Sequence, residues 1–505
     1  VQQLRIKQLS VFSLIAVLLT LISCSSNGAG SSGEVVVSNL PWYPSLEAFE
    51  HYNSGRSHVF PAAAFGGSFY GNNVVYSNSP APGHLYPSGY NMSYLNATQA
   101  FIYGGGYGDE SGSIGAFVAR VNPVTLVPVW YNQLINTSQN GEWDYPGSMG
   151  ILNDGYIYVS YGYRLSKLDP VTGDIVKTLI LPTGGAESAN TSYNGFNAAS
   201  GGTIVMKSVY RQAGCTLQGP SALLNCPNPT DVPASVLVSV NPGTMQVIDT
   251  VTLPAPVGAR PTVTSFQGEN YVYLLESSTA IRYLVNNGKF TLDTSWNPGV
   301  ITLPGQTLCT SFVVINEWVV AQTNTLPATT ALSLIAINQN NALNMYSSQP
   351  FLGDPIPPLV KAAFSSSASG GQANSWAPMS VSADPENNLI YASDSLPGEI
   401  AAITITESGL KTVWKANQTT TEFTTLIGGA ESRIIVGTDI PGIEIPGNNS
   451  HDYAVWRNAA TGEEIARSQL LPAMTQGTMI QPYYLGGMFF EGQLGDLIKL
   501  QPVAK

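Results

Sequence analysis

Four short β-prone runs joined by tight turns recur along this chain at intervals of roughly fifty residues, and that period constrains the fold more than any other feature. The clearest copy runs from Tyr156-Ile157-Tyr158-Val159 through Arg164-Leu165-Ser166-Lys167-Leu168 to the turn Asp169-Pro170-Val171-Thr172-Gly173 and a last run from Asp174 to Leu181. Four antiparallel strands of this kind make one propeller blade. Blades pack on their neighbours around one axis, so the 505 residues need not divide into the several domains that length alone suggests.

The copies align at their second strands: Ala100 to Tyr103, Tyr156 to Val159, Thr203 to Met206, Tyr271 to Leu274, Trp318 to Ala321, Leu389 to Ala392, Ile434 to Val436 and Met488 to Phe490, each rich in β-branched or aromatic residues. The turns from third to fourth strand are Asn122-Pro123-Val124-Thr125, Asp169 to Gly173, Asn241-Pro242-Gly243-Thr244, Asn286-Asn287-Gly288, Asn338 to Asn341, Glu407-Ser408-Gly409 and Ala460-Thr461-Gly462. The last copy has strands near Thr478 to Leu485, Met488 to Gln493 and Asp496 to Leu500 but no fourth. An open edge invites aggregation, so the run Glu34-Val35-Val36-Val37-Ser38 is expected to close the ring. The fold class is all-β: a single propeller of eight blades, with seven as the alternative, and Pro41 to Tyr94 expected to wrap it. Fifty Gly and thirty-four Pro suit so many turns.

The N-terminus carries an address. Arg5 and Lys7 precede an apolar run, Val11 to Ile22, that is short for a membrane span, and Leu21-Ile22-Ser23-Cys24 follows. This looks like a bacterial lipoprotein signal peptide with its lipobox. The resemblance implies cleavage after residue 23, palmitate-type acylation at Cys24 and a stable membrane anchor. Ser25, in place of the Asp that marks retention at the inner membrane, implies outer-membrane sorting in a Gram-negative envelope. Residues 24–33 form a Ser/Gly-rich tether and residues 34–505 the propeller.

Losing residues 1–23, which carry Arg5, Lys7 and no acid, moves the formal charge from -12 to -14. With 10% charged residues and no basic cluster, nucleic acid is excluded as a partner. Cys215 and Cys226 bracket a ten-residue insertion and are expected to form a disulfide in an oxidising compartment, while Cys309 reads as a buried structural cysteine. His51, His58 and His84 fall in the N-terminal excursion. His451 falls in a loop of the seventh blade and is the one testable general base.

Loops between second and third strands share one face with the connections between blades, and the long insertions Arg211 to Ala234, Phe351 to Ser375 and Ile440 to Asp452 fall there. The residues expected to rim a funnel are Glu142, Asp144, Asn194, Asn197, Arg260, Trp376, Glu422 and Gln476. Converging carboxylates and amide oxygens could hold calcium, which takes six to eight oxygen ligands and could polarise a lactone or ester carbonyl. Arg260 could instead clamp an anionic group. Against both stands the bland reading, in which these groups satisfy buried backbone.

The unit Leu168-Asp169-Pro170-Val171-Thr172-Gly173 resembles the repeat of the quinoprotein-like, pyrroloquinoline-quinone-type β-propellers, in which a Trp eight positions after the Asp docks on the neighbouring blade. Trp130 follows Asn122 by eight and Trp414 follows Thr406 by eight, whereas Lys177 and Ala466 hold that place in other copies. The resemblance implies fold, not activity. Catalytic members carry adjacent cysteines, which this chain lacks, and that argues against a quinone-dependent dehydrogenase. Two readings remain. One is a lipid-anchored envelope protein that binds a protein, glycan or small ligand on its loop face. The other is a metal-assisted hydrolase, of lactonase or esterase type, or a lyase working in the funnel.

Overall fold

The computed structural model describes residues 41–65, 73–78, 85–106, 114–308, 310–323, 331–358, 380–441 and 451–502. Glu34 to Ser38, Cys24, His84, Cys309 and Trp376 lie outside them. Eight four-stranded antiparallel blades follow one another in chain order. Blade 1 is Gly89–Asn96, Gln99–Gly104, Phe117–Val121 and Pro128–Gln133; blade 2 is Ser148–Ile151, Ile157–Tyr161, Arg164–Leu168 and Ile175–Ile180. Blades 3 to 7 begin at Thr191, Thr262, Val313, Ser382 and Thr425. All eight second strands stand where the repeat places them, from Gln99–Gly104 to Met488–Glu491. Inner and middle strands are buried almost throughout, and outer strands such as Ile175–Ile180 face solvent.

Asparagine and aspartate build the turns by a repeated device. Their side-chain oxygen accepts the backbone N–H groups two and three residues on: Asn122 from Val124 and Thr125, Asp169 from Val171 and Thr172, Asn241 from Gly243 and Thr244, Asn338 from Asn340 and Asn341, Asn458 from Ala460 and Thr461. The turns then lock adjacent blades. Trp130 donates its indole N–H to the Pro170 carbonyl at 3.3 Å and Trp414 donates to Ala459 at 3.0 Å. Each ring lies on a turn glycine in the left-handed region, Gly173 or Gly462, where an added Cβ would come within 2.6 Å of the indole. Trp296 donates to Asn338 and Tyr346 to Glu407 in the same way, and Lys177 donates to Thr244.

Blade 8 consists of Gln481–Pro482, Met488–Glu491 and Leu497–Pro502, with its outer strand supplied by Asn73–Asn78. That strand pairs antiparallel with Leu497–Pro502 and parallel with Glu464–Ser468, the outer strand of blade 7. The ring is thus closed by an N-terminal strand, but by 73–78 where Glu34 to Ser38 was expected. The outer edge of Leu497–Pro502 is occupied, so no second strand can add there.

The segment before that strand does not pass around the outside. Residues 41–60 enter on the face of the turns, where the Pro41 carbonyl accepts from Asn153, and circle inside the axial channel. Inner strands present unpaired N–H groups to the axis, and the segment's carbonyls receive them in blade order: Glu47 from Tyr94, Ala48 from Ile151, Ser54 from Val263, Gly55 from Val314, Ser57 from Ala383 and His58 from Leu426. In blade 3 the Asn197 side-chain amide does this, donating to the Ser54 carbonyl at 2.7 Å. In blade 8 Gln481 donates to the Glu47 carboxyl at 3.0 Å. Satisfying eight edges forces the backbone, and Tyr52, Arg56 and His58 take positive φ of 71°, 59° and 63°, a cost of about 1–3 kcal/mol each.

Candidate functional site

Residues 41–60, an axial hairpin that turns back where the His58 N–H donates to the His51 carbonyl at 3.3 Å, carry Glu47, Glu50, His51, Arg56 and His58, all buried. Glu50 Oε1 stands 2.5 Å from Arg260 Nη1, 3.3 Å from His51 Nε2 and 3.5 Å from Arg56 Nη1. Arg260 reaches in from the connection between blades 3 and 4, donates its other terminal nitrogen to the Pro146 and Gly147 carbonyls, and lies 4.9 Å over the Tyr90 ring. Burial alone would raise the Glu50 carboxyl. Arg260, His51 and Arg56 outweigh it and hold the group well below the usual carboxylate range.

From Glu50 a line of hydrogen-bonded groups crosses the axis. His51 Nδ1 is 2.8 Å from His58 Nε2, His58 Nδ1 is 2.8 Å from Ser382 Oγ, and Ser382 Oγ is 2.6 Å from Thr424 Oγ1 and 2.7 Å from the Thr424 carbonyl. Burial pushes His51 down to about 3, and His58 is pushed down likewise, so both rings are neutral near neutral pH. The Ser382 hydroxyl has one proton and gives it to the Thr424 carbonyl, so His58 Nδ1 donates to Ser382 Oγ and His51 Nδ1 to His58 Nε2. This serine, two histidines and a carboxylate have the order of a charge relay, but Ser382 is wholly buried and no substrate reaches it. The line holds the hairpin to blades 6 and 7.

The rim residues are mostly spent on the protein itself. Glu142 is held by Arg164 through two bonds of 2.6 and 3.0 Å. Asp144 is buried and accepts from Ala116 at 2.8 Å and Gly162 at 3.1 Å; burial raises its carboxyl to about 6 against those two bonds. Asn194 donates to Gly258 and accepts from the buried Lys207 ammonium at 2.8 Å. Asn197 binds the hairpin, and Arg260 finds its anion in Glu50 and not in a ligand. Glu422 accepts from Thr421 Oγ1 at 2.9 Å and from the Gly477 and Thr478 N–H groups at 2.5 and 3.2 Å; burial and then Asp452 raise it to about 8. Gln476 and His451 are exposed, His451 opening the third strand of blade 7.

Glu142 and Asp144 belong to the connection between blades 1 and 2, Glu422 to that between blades 6 and 7. They do not gather into an oxygen cage, and no group of three or more His, Cys, Asp or Glu positioned for a metal occurs among the described residues. The described residues therefore offer no fitting donor set there for the calcium considered as one possibility.

The disulfide between Cys215 and Cys226 is present. It staples the blade 3 insertion, which folds over the connection between blades 1 and 2. Trp143 donates its indole N–H to the Gly219 carbonyl, Gln218 bonds both Glu142 and Asp144 backbone groups, and Arg211 donates to Gly141, Ala189 and Leu217 carbonyls. The loop face over blades 1 to 3 is thus raised and braced.

His51 and His58 carry no motif that marks them in the sequence, and neither does Glu50. One signal was available. In a chain with 10% charged residues, two glutamates, two histidines and an arginine fall between Glu47 and His58, a density that a surface wrap does not need.

No known protein family matches the sequence, and neither does any curated protein. Among solved structures, the quinohemoprotein alcohol dehydrogenase of Comamonas testosteroni is similar with a TM-score of 0.53 and 11% identity over 93% of this chain and 82% of its own. The quinohemoprotein alcohol dehydrogenase ADHIIG of Pseudomonas putida HK5 also gives 0.53, with 10% identity over 94% and 83%. The chain shares the propeller fold of these two structures. At such identity the likeness extends to fold alone.

Proposed function

We propose that this protein is a lipid-anchored envelope protein whose propeller binds a partner on its loop face. The observation that carries the reading is the occupied axis. The hairpin fills the channel and commits Glu50, Arg260 and Asn197 to internal bonds, so the surface left for recognition is the loop face, with its disulfide-stapled platform over blades 1 to 3. Pro41, the first described residue, lies on the opposite, turn face, where its carbonyl accepts from Asn153. The alcohol dehydrogenase activity named for the two structural neighbours is not carried over, because likeness at 10–11% identity is of fold.

The test places a photo-cross-linking residue at Leu217, exposed on the stapled insertion, and separately at Leu343, exposed on a turn of blade 5. In intact cells Leu217 is expected to give one discrete adduct and Leu343 none. Equal labelling from both positions, or none from Leu217, sinks the loop-face reading. Cys24→Ala is expected to abolish fatty-acid labelling and release the protein from membranes; unchanged membrane association refutes the anchor.

A further inference from the structure

A groove of about 590 Å³ lies between blades 6 and 7, reaching from Thr419 and Asp439 at the loop end to Arg457 and Glu464 beside the blade 7 turn, and falls within the range of about 300–1,000 Å³ usual for small-ligand sites. We infer that this groove is a subsite for a neutral saccharide. The inference rests on the loop-face reading and names a ligand class for it.

Charge is the first argument. Arg457 and Arg467 line the groove, and neither offers a bare cation. Arg467 donates from Nη1 to Asp439 at 2.6 Å and from Nε and Nη2 to Glu464 at 2.9 and 2.8 Å. Arg457 donates to the Gln418 side chain at 2.7 Å, to the Gly462 and Asn417 carbonyls at 3.1 and 2.8 Å, and to Glu464 at 3.3 Å. Two guanidiniums against two carboxylates make the wall electrically neutral, so a phosphate or a free carboxylate would meet no net attraction and would face Asp439 and Glu464 as repulsive neighbours.

Acceptor capacity is the second argument. A carboxylate has about four lone-pair sites. Asp439 uses one for the Thr419 N–H at 2.8 Å and one for Arg467, and Glu464 uses its oxygens on the two arginines. What remains accepts from hydroxyl groups, and charge-assisted bonds of that kind are the stronger ones. The Asn417 amide, which supplies both a donor and an acceptor, and the Thr419 and Tyr453 hydroxyls line the same space. The half-buried Tyr453 ring is set by the Arg467 guanidinium 5.2 Å from its centroid, and Ile440 and Pro441 add an apolar strip. Hydroxyl edges and an apolar face are what a neutral sugar presents. An extended peptide is the poorer fit, because the blade 7 outer strand that walls the groove, Glu464–Ser468, is already paired with Asn73–Asn78 along its outer edge.

Saturation-transfer NMR on the full chain, with cellopentaose, maltopentaose and chitotetraose as neutral probes and glucose 6-phosphate as an anionic one, tests this. At least one neutral probe is expected to bind saturably and glucose 6-phosphate not to bind. Asn417→Ala removes only a side-chain amide, since Arg457 uses the backbone carbonyl, and should weaken that binding about fivefold, the effect of one lost hydrogen bond. Tyr453→Phe should do the same by removing only a hydroxyl. No saturable neutral probe, preference for the phosphate, or binding indifferent to both substitutions would each overturn the inference. Cross-linking at Leu217 separates the failures: an adduct retained without saccharide binding refutes the subsite alone, and loss of both refutes the loop-face reading as well.

Discussion

Glu47 and Glu50 stand three residues apart in one hairpin, both fully buried, and the protein treats them in opposite ways. Glu50 meets two guanidiniums and an imidazole and is held ionised. Glu47 meets Gln481 and, nearby, a second buried carboxyl, Glu491; burial first and then that like charge push it well above the usual carboxylate range, against the Gln481 bond. Burial is common to both, so the neighbours decide the charge. The ionised end ties the hairpin to blades 2 and 4 through Arg260. The neutral end fills the seam between blades 8 and 1, where Glu47 Oε2 and both Glu491 oxygens have no hydrogen-bond partner among the described residues.

The largest effect separating the two is therefore the cost of removing charge. Glu50→Gln leaves Arg260 and Arg56 buried without an anion, and breaking one side of a buried pair costs about 3–5 kcal/mol. Urea unfolding at pH 7 should show a loss of that size. If Glu50→Gln cost less than about 1 kcal/mol, the ionised state of Glu50 would be wrong and the comparison would collapse.

A third carboxyl sharpens the rule. Glu422 has three hydrogen-bond donors but, among the described residues, no cation partner, and its proton is held up to about 8. Its folded-state value exceeds the unfolded one, so the native state binds more protons across about pH 4.5 to 8, and the stability it contributes is lost as pH rises through that window. Glu422→Gln should remove that part of the decline, leaving the variant more stable than the parent at pH 8, relative to pH 5, by something on the order of 1–3 kcal/mol. Parallel stability curves for the two proteins across the window would show that hydrogen bonds alone keep Glu422 ionised.

The contrast between blades and hairpin also explains what could be read from the sequence. Each second strand announces itself through β-branched and aromatic residues at regular spacing, and each turn through an Asn or Asp whose side chain organises it locally; both signals lie within a few residues. Trp130 and Trp414 were legible as docking residues because their spacing from the turn is kept. Tyr346 keeps the spacing with a different ring and Trp296 keeps the ring with a different spacing, so both escaped notice. The hairpin has no period. Its shape is imposed by eight inner edges drawn from the whole length of the chain, and the partner of Glu50, Arg260, lies 210 residues away. The closing strand failed for a related reason. Glu34 to Ser38 and Asn73–Asn78 are both suited to extended structure, and only pairing with Leu497–Pro502, more than four hundred residues on, distinguishes them. Asp144 and Asn194 stand out in the sequence as polar groups, but nothing within a few residues of either signals that backbone N–H groups and Lys207 claim them.

Glu47→Gln keeps the side-chain oxygen that accepts from Gln481 and adds an amide that can donate towards the unpartnered oxygens of Glu491. Burial and the neighbouring Glu491 hold the native carboxyl well above the usual carboxylate range, so the exchange strands no cation. At pH 6 the stability should change by no more than about 1 kcal/mol, the range of a single exchanged hydrogen bond. The sign reverses from the Glu50 case as pH rises. A raised carboxyl makes the parent lose stability above about pH 4.5, and the glutamine does not titrate, so the variant should gain on the parent between pH 6 and pH 9. Thermal unfolding of Glu47→Gln and Glu50→Gln side by side at both pH values reads the difference directly. Equal losses at pH 6 would mean that Glu47 carries a charge in the folded protein, and that a cation not supplied by the surrounding side chains neutralises it beside Glu491.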